Sequence, residues 1–251
     1  VGTCTDIDDM KKQDEHKNNF IKIANHELKT PVTTIKGYVQ LLKKMRGNSG
    51  DQFLVSSLNT IESQINKLNQ LMGELLDISR IESGELPLHK GDFSLLKLVT
   101  ETIEDIKAAD QSHQINFELN DTKDIEVFAD KDRITQVLNN LLTNAIKYSP
   151  NQEDVNVKLY IDGNCAVVSV EDFGIGMDEP ELKKIFERFY RISGEDEVTF
   201  PGFGIGLYIV KDIIERHGGK IWVESEKQKG STFYFALPLF EKKQDYEDTG
   251  C

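Results

Sequence analysis

"LVSSLNTIESQINKLNQLMGEL", residues 54–75, repeats an apolar residue at steps of four and three. Leu54, Leu58, Ile61, Ile65, Leu68, Met72 and Leu75 therefore fall on one line along an α-helix, since a heptad makes about two turns. Leu71, Ile78 and Ile81 widen that line into a stripe. A stripe wider than a two-stranded seam suits a bundle of more than two helices. One helical hairpin leaves such stripes uncovered, whereas two hairpins from two chains close a four-helix bundle. The stretch therefore predicts a homodimer.

Upstream, residues 7–46 also read as helix, with Ile21, Ala24 and Leu28 on the apolar face and Val32, Ile35, Val39 and Leu42 resuming it. Gly47, Asn48, Ser49 and Gly50 break the pattern. Within this helix lies "NHELKTP", residues 25–31. His26 is two residues from both Ala24 and Leu28, so at about 100° per residue it points away from the seam, into water. Glu27 is its neighbour, and Lys29 and Thr30 follow on the face of His26. Pro31 cannot donate to the carbonyl of Glu27, which predicts a bend or break. Alone, an exposed His in a charged helix is an ordinary solvated residue. "HELKT" is also no zinc motif, because Thr30 stands where H-E-x-x-H needs its second His.

Downstream, "SGELPLHKGD", residues 83–92, ends the second helix with Gly84 and Pro87 and reads as a linker. Ser94 can cap a helix to about Ala109, and Asp130 can cap one carrying Ile134, Val137, Leu138, Leu141, Leu142, Ala145 and Ile146. "INFEL" and "IEVFA" alternate like strands, and "VNVKLYI" and "AVVSVED" pair around Asp162-Gly163-Asn164. A helix from Gly206 to about His217 and the strands "KIWVES" and "STFYFAL" complete a mixed α+β sheet. The tail "EKKQDYEDTGC" has the composition of a disordered segment.

The bulk numbers narrow the class. The chain has 251 residues, 38% hydrophobic and 29% charged, as expected of a globular protein of one or two domains. A net charge of −13 opposes a nucleic-acid backbone and an anionic membrane surface. No apolar run spans a bilayer, so this segment is expected to make no direct membrane contact. The expected setting is the cytoplasm, either free or as the cytoplasmic part of a membrane-anchored sensor. Cys4, Cys165 and Cys251 form neither a disulfide framework nor a zinc pattern.

Two glycine clusters remain. "DFGIGM", residues 172–177, follows a strand, and "GFGIGL", residues 202–207, opens a helix. Clustered glycines let backbone N–H groups approach an anion. Neither is a Walker loop, and Leu207 stands where a dinucleotide fingerprint has its third Gly. Turns of an α+β domain often contain Gly without binding anything. Asn140, Asn144 and Lys147 share one helical face, where amide oxygens can ligate Mg²⁺ and the ammonium can reach a phosphate. Asn and Lys are equally common on the outside of helices.

Together these segments resemble the catalytic core of the sensor histidine kinases of two-component systems. "NHELKTP" resembles the H box, "NNLLTNAIKYSP" the N box, "DFGIGM" the first glycine box, "FERFYR" the phenylalanine box, and "GFGIGLYIV" the second glycine box. "KGSTFYFALP" resembles the last Gly-Ser/Thr segment. "VGTCTDIDD" resembles the exit of a PAS sensor domain. The resemblance implies a sensor end and connecting helix at 1–14, and a dimerisation and histidine-phosphotransfer domain at 15–83. A linker at 84–92, an ATP-binding domain of the Bergerat α/β-sandwich type at 93–240 and a disordered tail at 241–251 follow.

By that resemblance His26 is the phosphoryl acceptor and Glu27 its base. Thr30 would place a water against a phosphorylated regulator. Asp172 would bind the adenine amino group, with Gly174 and Gly176 shaping the turn and Tyr148 near the base. Asn140 and Asn144 would hold Mg²⁺, while Lys147 and Arg188 face phosphate oxygens. Gly202, Gly204, Gly206 and Leu207 would form the phosphate-side loop, and "ISGEDEVTFP" a lid over Phe186 and Phe189. The implied partner is a response regulator receiver domain. Two rivals keep the nucleotide fold: an ATPase of the chaperone or topoisomerase type, and a non-catalytic dimeric scaffold. The first needs a general-base Glu on the N-box helix, and "RITQVLNNLLTN" has none. The remaining histidines have no such company. His217 reads as a helix-dipole partner, and His16, His89 and His113 as surface residues.

Overall fold

The computed structural model describes residues 28–42, 51–110, 112–119, 125–150, 154–191 and 203–240. The chain divides into two compact units, Val1–Leu86 with Phe186–Ile209, and Pro87–Ile185 with Val210–Cys251. His26, Glu27, Gly202, the whole of the lid, the PAS-like start and the tail lie outside the described residues.

The first unit contains α1 (28–42) and α2 (Asp51–Glu82). α1 runs unbroken through Pro31, so the expected break does not occur on its C-terminal side. The turn in which Pro31 leaves the Glu27 carbonyl without a donor begins outside the described residues. In α2, Leu71, Ile78 and Ile81 are buried, whereas Leu58 is 51% and Met72 52% exposed. The seam read from the sequence is thus an open apolar face within a single chain. This unit also carries the segment 186–191 and the start of α6 (Gly206–Arg216).

The second unit is a helical layer on a five-stranded sheet. Its elements are β1 (Gly91–Ser94), α3 (Leu95–Ala109), β2 (Gln114–Leu119), β3 (Glu126–Ala129) and α4 (Lys131–Tyr148). β4 (Asp154–Asp162), β5 (Cys165–Asp172), α5 (Glu179–Leu182), the rest of α6, β6 (Lys220–Glu226) and β7 (Gly230–Pro238) follow. Strand order is β2-β4-β5-β7-β6, with β2–β4 parallel and the other pairs antiparallel, as expected of a mixed sheet. Ser94 accepts from Lys97 N at 3.0 Å, and Asp130 from Arg133 N at 3.1 Å, so both expected caps form. Two elements escape sequence reading. β1, which pairs with β3, begins in the last two residues of the expected linker, and "GDFS" has no apolar alternation to announce it. α5 is one turn, too short for a periodic signal.

Strand alternation sorts the sheet into two faces. Val155, Val157 and Leu159 of β4 and Ala166, Val168 and Val170 of β5 are fully or almost fully buried. The apolar stripe of α4 is buried too, from Ile134 to Ala145. The reverse face is polar and aromatic. There Lys158 pairs with Glu118 at 3.1 Å, and Trp222 stacks on Tyr234 with centroids 5.0 Å apart.

Candidate functional site

Asp172 ends β5 on the same parity as Ala166, Val168 and Val170, so the alternation that builds the core also buries its carboxyl group. It is 4% exposed. Gly174 N–H donates to Asp172 Oδ1 at 2.9 Å, and Ser231 N–H donates to the same carboxyl group. Burial pushes its pKa up to about 6; the two N–H donors oppose the rise, and the neighbouring Glu171 adds to it. A buried acceptor with so few donors is suited to an incoming N–H group.

The loop after Asp172 presses on the end of α4. Ile175 N–H donates to Tyr148 O at 3.1 Å, and a Cβ on Gly174 would overlap that same carbonyl. Gly174 is therefore required by close approach. Along α4, Asn144 Nδ2 donates to Asn140 Oδ1 at 3.0 Å, so both amides lie on one face, as expected. Lys147 Nζ lies 3.2 Å from Tyr148 Oη and 4.8 Å from the centre of its ring. The structure thus gathers Asn140, Asn144, Lys147 and Tyr148 on α4 and brings Asp172 and Gly174 to its end, while Gly176 packs against the Glu226 carbonyl. The donor set fits a nucleotide: a buried carboxylate for a base, amide oxygens for a hard cation and an ammonium for phosphate.

The first unit holds the other described candidates. Thr30 is exposed on α1, and its carbonyl accepts from the Thr34 hydroxyl at 3.1 Å. Arg188 forms an ion pair with Glu82 at the end of α2 and lies 5.8 Å over the Phe189 ring. Phe189 has φ 63°, a left-handed conformation that costs about 1 kcal/mol or more for a bulky residue. Gly204, with φ 70°, lies so close that a Cβ would sit 2.6 Å from Tyr190 O. Gly206 and Leu207 open α6, and Phe186 is half-buried. In this structure Arg188 is engaged by a carboxylate that sequence reasoning did not anticipate. Glu82→Gln is expected to change stability by less than about 1 kcal/mol in thermal melting, because the partners are 48% and 41% exposed.

Two histidines require correction. His217 is 6% exposed and is no charged dipole partner. Its Nδ1–H donates to Ile213 O at 2.7 Å, and its Nε2 accepts from Asp130 N at 2.9 Å, which requires the neutral ring. Burial lowers its pKa accordingly. Asp130 in turn accepts from His89 N at 2.7 Å; burial raises its pKa, but the His89 and Arg133 N–H groups outweigh this and hold it low. His113 is not a surface residue either: its side chain is 8% exposed. Its ring nitrogens lie 2.9 Å from Asp110 Oδ2 and 3.2 Å from Ser149 O, bracing the C-terminus of α4.

The Asp172 shift has a testable sign. An amino donor bound to Asp172, as the family resemblance implies, would need the ionised carboxylate, which is depleted as pH falls through about 6. ADP affinity is expected to drop about tenfold between neutral pH and a pH one unit below that value. Calorimetry on wild type and Asp172→Asn checks it, since the amide does not titrate and removes this component from the pH profile.

Comparison with known proteins finds two families along the chain. Residues 16–84 match the His Kinase A (phospho-acceptor) domain, and residues 129–241 match the histidine kinase-, DNA gyrase B- and HSP90-like ATPase family. Sensor histidine kinase WalK of Bacillus subtilis is 33% identical over 98% of this chain and 40% of its own length. Sensor protein RprX of Bacteroides fragilis is 34% identical over 92% of this chain and 45% of its own. The chain thus spans less than half the length of these relatives. The catalytic domain of histidine kinase ThkA is 32% identical with a TM-score of 0.50, covering 60% of this chain and 95% of that one. ThkA in complex with response regulator protein TrrA is 25% identical with a TM-score of 0.60, covering 97% of this chain and 69% of that one. With a phospho-acceptor helical segment followed by an ATPase domain on a mixed sheet, the chain belongs to the sensor histidine kinases of two-component systems.

Proposed function

We propose that this chain transfers the γ-phosphoryl group of ATP to His26 and passes it to an aspartate of a response regulator. The observation that carries the reading is the pairing, in one chain, of a His inside the phospho-acceptor match with the buried Asp172 acceptor inside the ATPase match. The division at 1–14, 15–83, 84–92, 93–240 and 241–251 is part of the proposal.

Asp172 accepts from the adenine amino group, and Gly174 and Gly176 let the backbone close beneath the base. Tyr148 lies beside it. Asn140 and Asn144 hold Mg²⁺, which neutralises phosphate charge when bound. Lys147 faces the phosphates, and Arg188 does so by exchanging the Glu82 carboxylate for a phosphate oxygen. Gly202, Gly204, Gly206 and Leu207 line the phosphate side. A neutral nitrogen of His26 attacks in line; the N–P bond forms as the bond to the β–γ bridging oxygen breaks, leaving ADP. Glu27 orients the ring and takes the proton from its other nitrogen. Thr30, one turn on, places a water for the reverse loss of phosphate from the regulator.

The exposed seam of α2 supports a homodimer, closed as a four-helix bundle. The complex of ThkA with response regulator protein TrrA supports a partner of that class. No helix among the described residues is long and apolar enough to cross a membrane, and we place this segment in the cytoplasm. Incubation with radiolabelled ATP and Mg²⁺ tests the reading. The expected label is acid-labile and alkali-stable; ATP hydrolysis with no retained label would leave an ATPase instead.

A further inference from the structure

The loop from Asp172 to Met177 is fixed at both ends by the last two strands, and its far end rests on one hydroxyl group. Ser225 lies near the end of β6, paired in register with Ser231 of β7. Its Oγ accepts from Met177 N at 2.9 Å, donates to Gly230 O at 2.9 Å and lies 2.9 Å from Ser231 Oγ. A hydroxyl group has one proton and two lone pairs. With its proton on Gly230 O, both lone pairs serve Met177 N–H and the Ser231 hydroxyl, and nothing is left over.

At the near end, Asp172 faces Ser231 in the sheet, and Ser231 N–H donates to its carboxyl group. The start and the end of the loop are thus tied to two adjacent, hydrogen-bonded serines. Backbone contact tightens the arrangement. Gln228 N–H donates to Ile175 O at 2.7 Å. A Cβ on Gly176 would overlap the Glu226 carbonyl, and one on Gly230 the Asp172 carbonyl.

We propose that Ser225 is a positioning residue for base recognition, holding the loop so that Asp172 distinguishes adenine from guanine. The inference rests on the reading of Asp172 as the adenine acceptor. The two bases differ at C6, where adenine carries an amino donor and guanine a carbonyl acceptor. A carboxylate tells them apart only when the base edge is held in register, and the register is set by the loop that Ser225 pins.

Calorimetry with ADP and GDP on the full chain tests this in wild type, Ser225→Ala and Ser225→Thr. Removing the hydroxyl orphans Met177 N–H, so Ser225→Ala is expected to weaken ADP about tenfold and GDP far less. In phosphoryl labelling, KM for ATP should rise more than kcat falls. Hydrogen exchange at the Met177 amide should accelerate. Ser225→Thr keeps the hydroxyl and should restore all three. Should Ser225→Ala fail to fold, Ser225→Cys, whose thiol bonds weakly, takes its place with the same expectation. An unchanged ratio of ADP to GDP affinity overturns the proposal, whether both affinities fall or neither does. A wild type without preference for ADP shows the failure of the Asp172 reading itself, and takes this inference with it.

Discussion

His26→Gln is expected to abolish stable phosphoryl labelling while leaving ADP affinity unchanged. Glutamine is close in size but offers no ring nitrogen of suitable basicity, so no N–P bond can form. The proposed acceptor lies in the segment matching the phospho-acceptor domain, whereas the nucleotide-binding candidates Asp172, Asn140, Asn144 and Lys147 lie in the segment matching the ATPase family. Binding and transfer should therefore separate cleanly in this variant. Glu27→Gln should fall between the extremes: a positioned base contributes about a hundredfold or more to a proton transfer, so labelling slows without vanishing. Labelling of His26→Gln at the wild-type rate would move the acceptor elsewhere and remove the role given to Glu27.

Asp172→Ala is expected to lose at least about a hundredfold in ADP affinity. The change deletes the proposed acceptor for the base and orphans the N–H groups of Gly174 and Ser231, which the carboxylate now satisfies. The fold should survive, because burial already penalises the ionised side chain near neutral pH. Calorimetry beside a thermal melt separates the outcomes. A variant that still melts cooperatively, though at a lower temperature, and no longer binds ADP places Asp172 at the base. Retained affinity would leave it a structural residue of the β5–β7 pair.

Much of the fold and of the candidate site is legible in the order of residues. The heptad in 54–75, the stripe of α4 and the caps Ser94 and Asp130 are local patterns, and local patterns follow directly from helical and strand geometry. The grouping of Asn140, Asn144 and Lys147 follows from helical spacing alone. The side of the sheet that Asp172 faces is also implicit, since it continues the parity of Ala166, Val168 and Val170.

Element type, the faces of helices and strands, and the order of the motifs are thus properties of the sequence alone. Which polar groups meet is decided by tertiary structure. His113 bonds across 36 residues to Ser149, Met177 across 48 to Ser225, His217 across 87 to Asp130, and Arg188 across 106 to Glu82. Periodicity repeats along the chain and can be read from it. A hydrogen bond between distant residues has no period, and its partner exists only where strand register and helix packing bring the two backbones together.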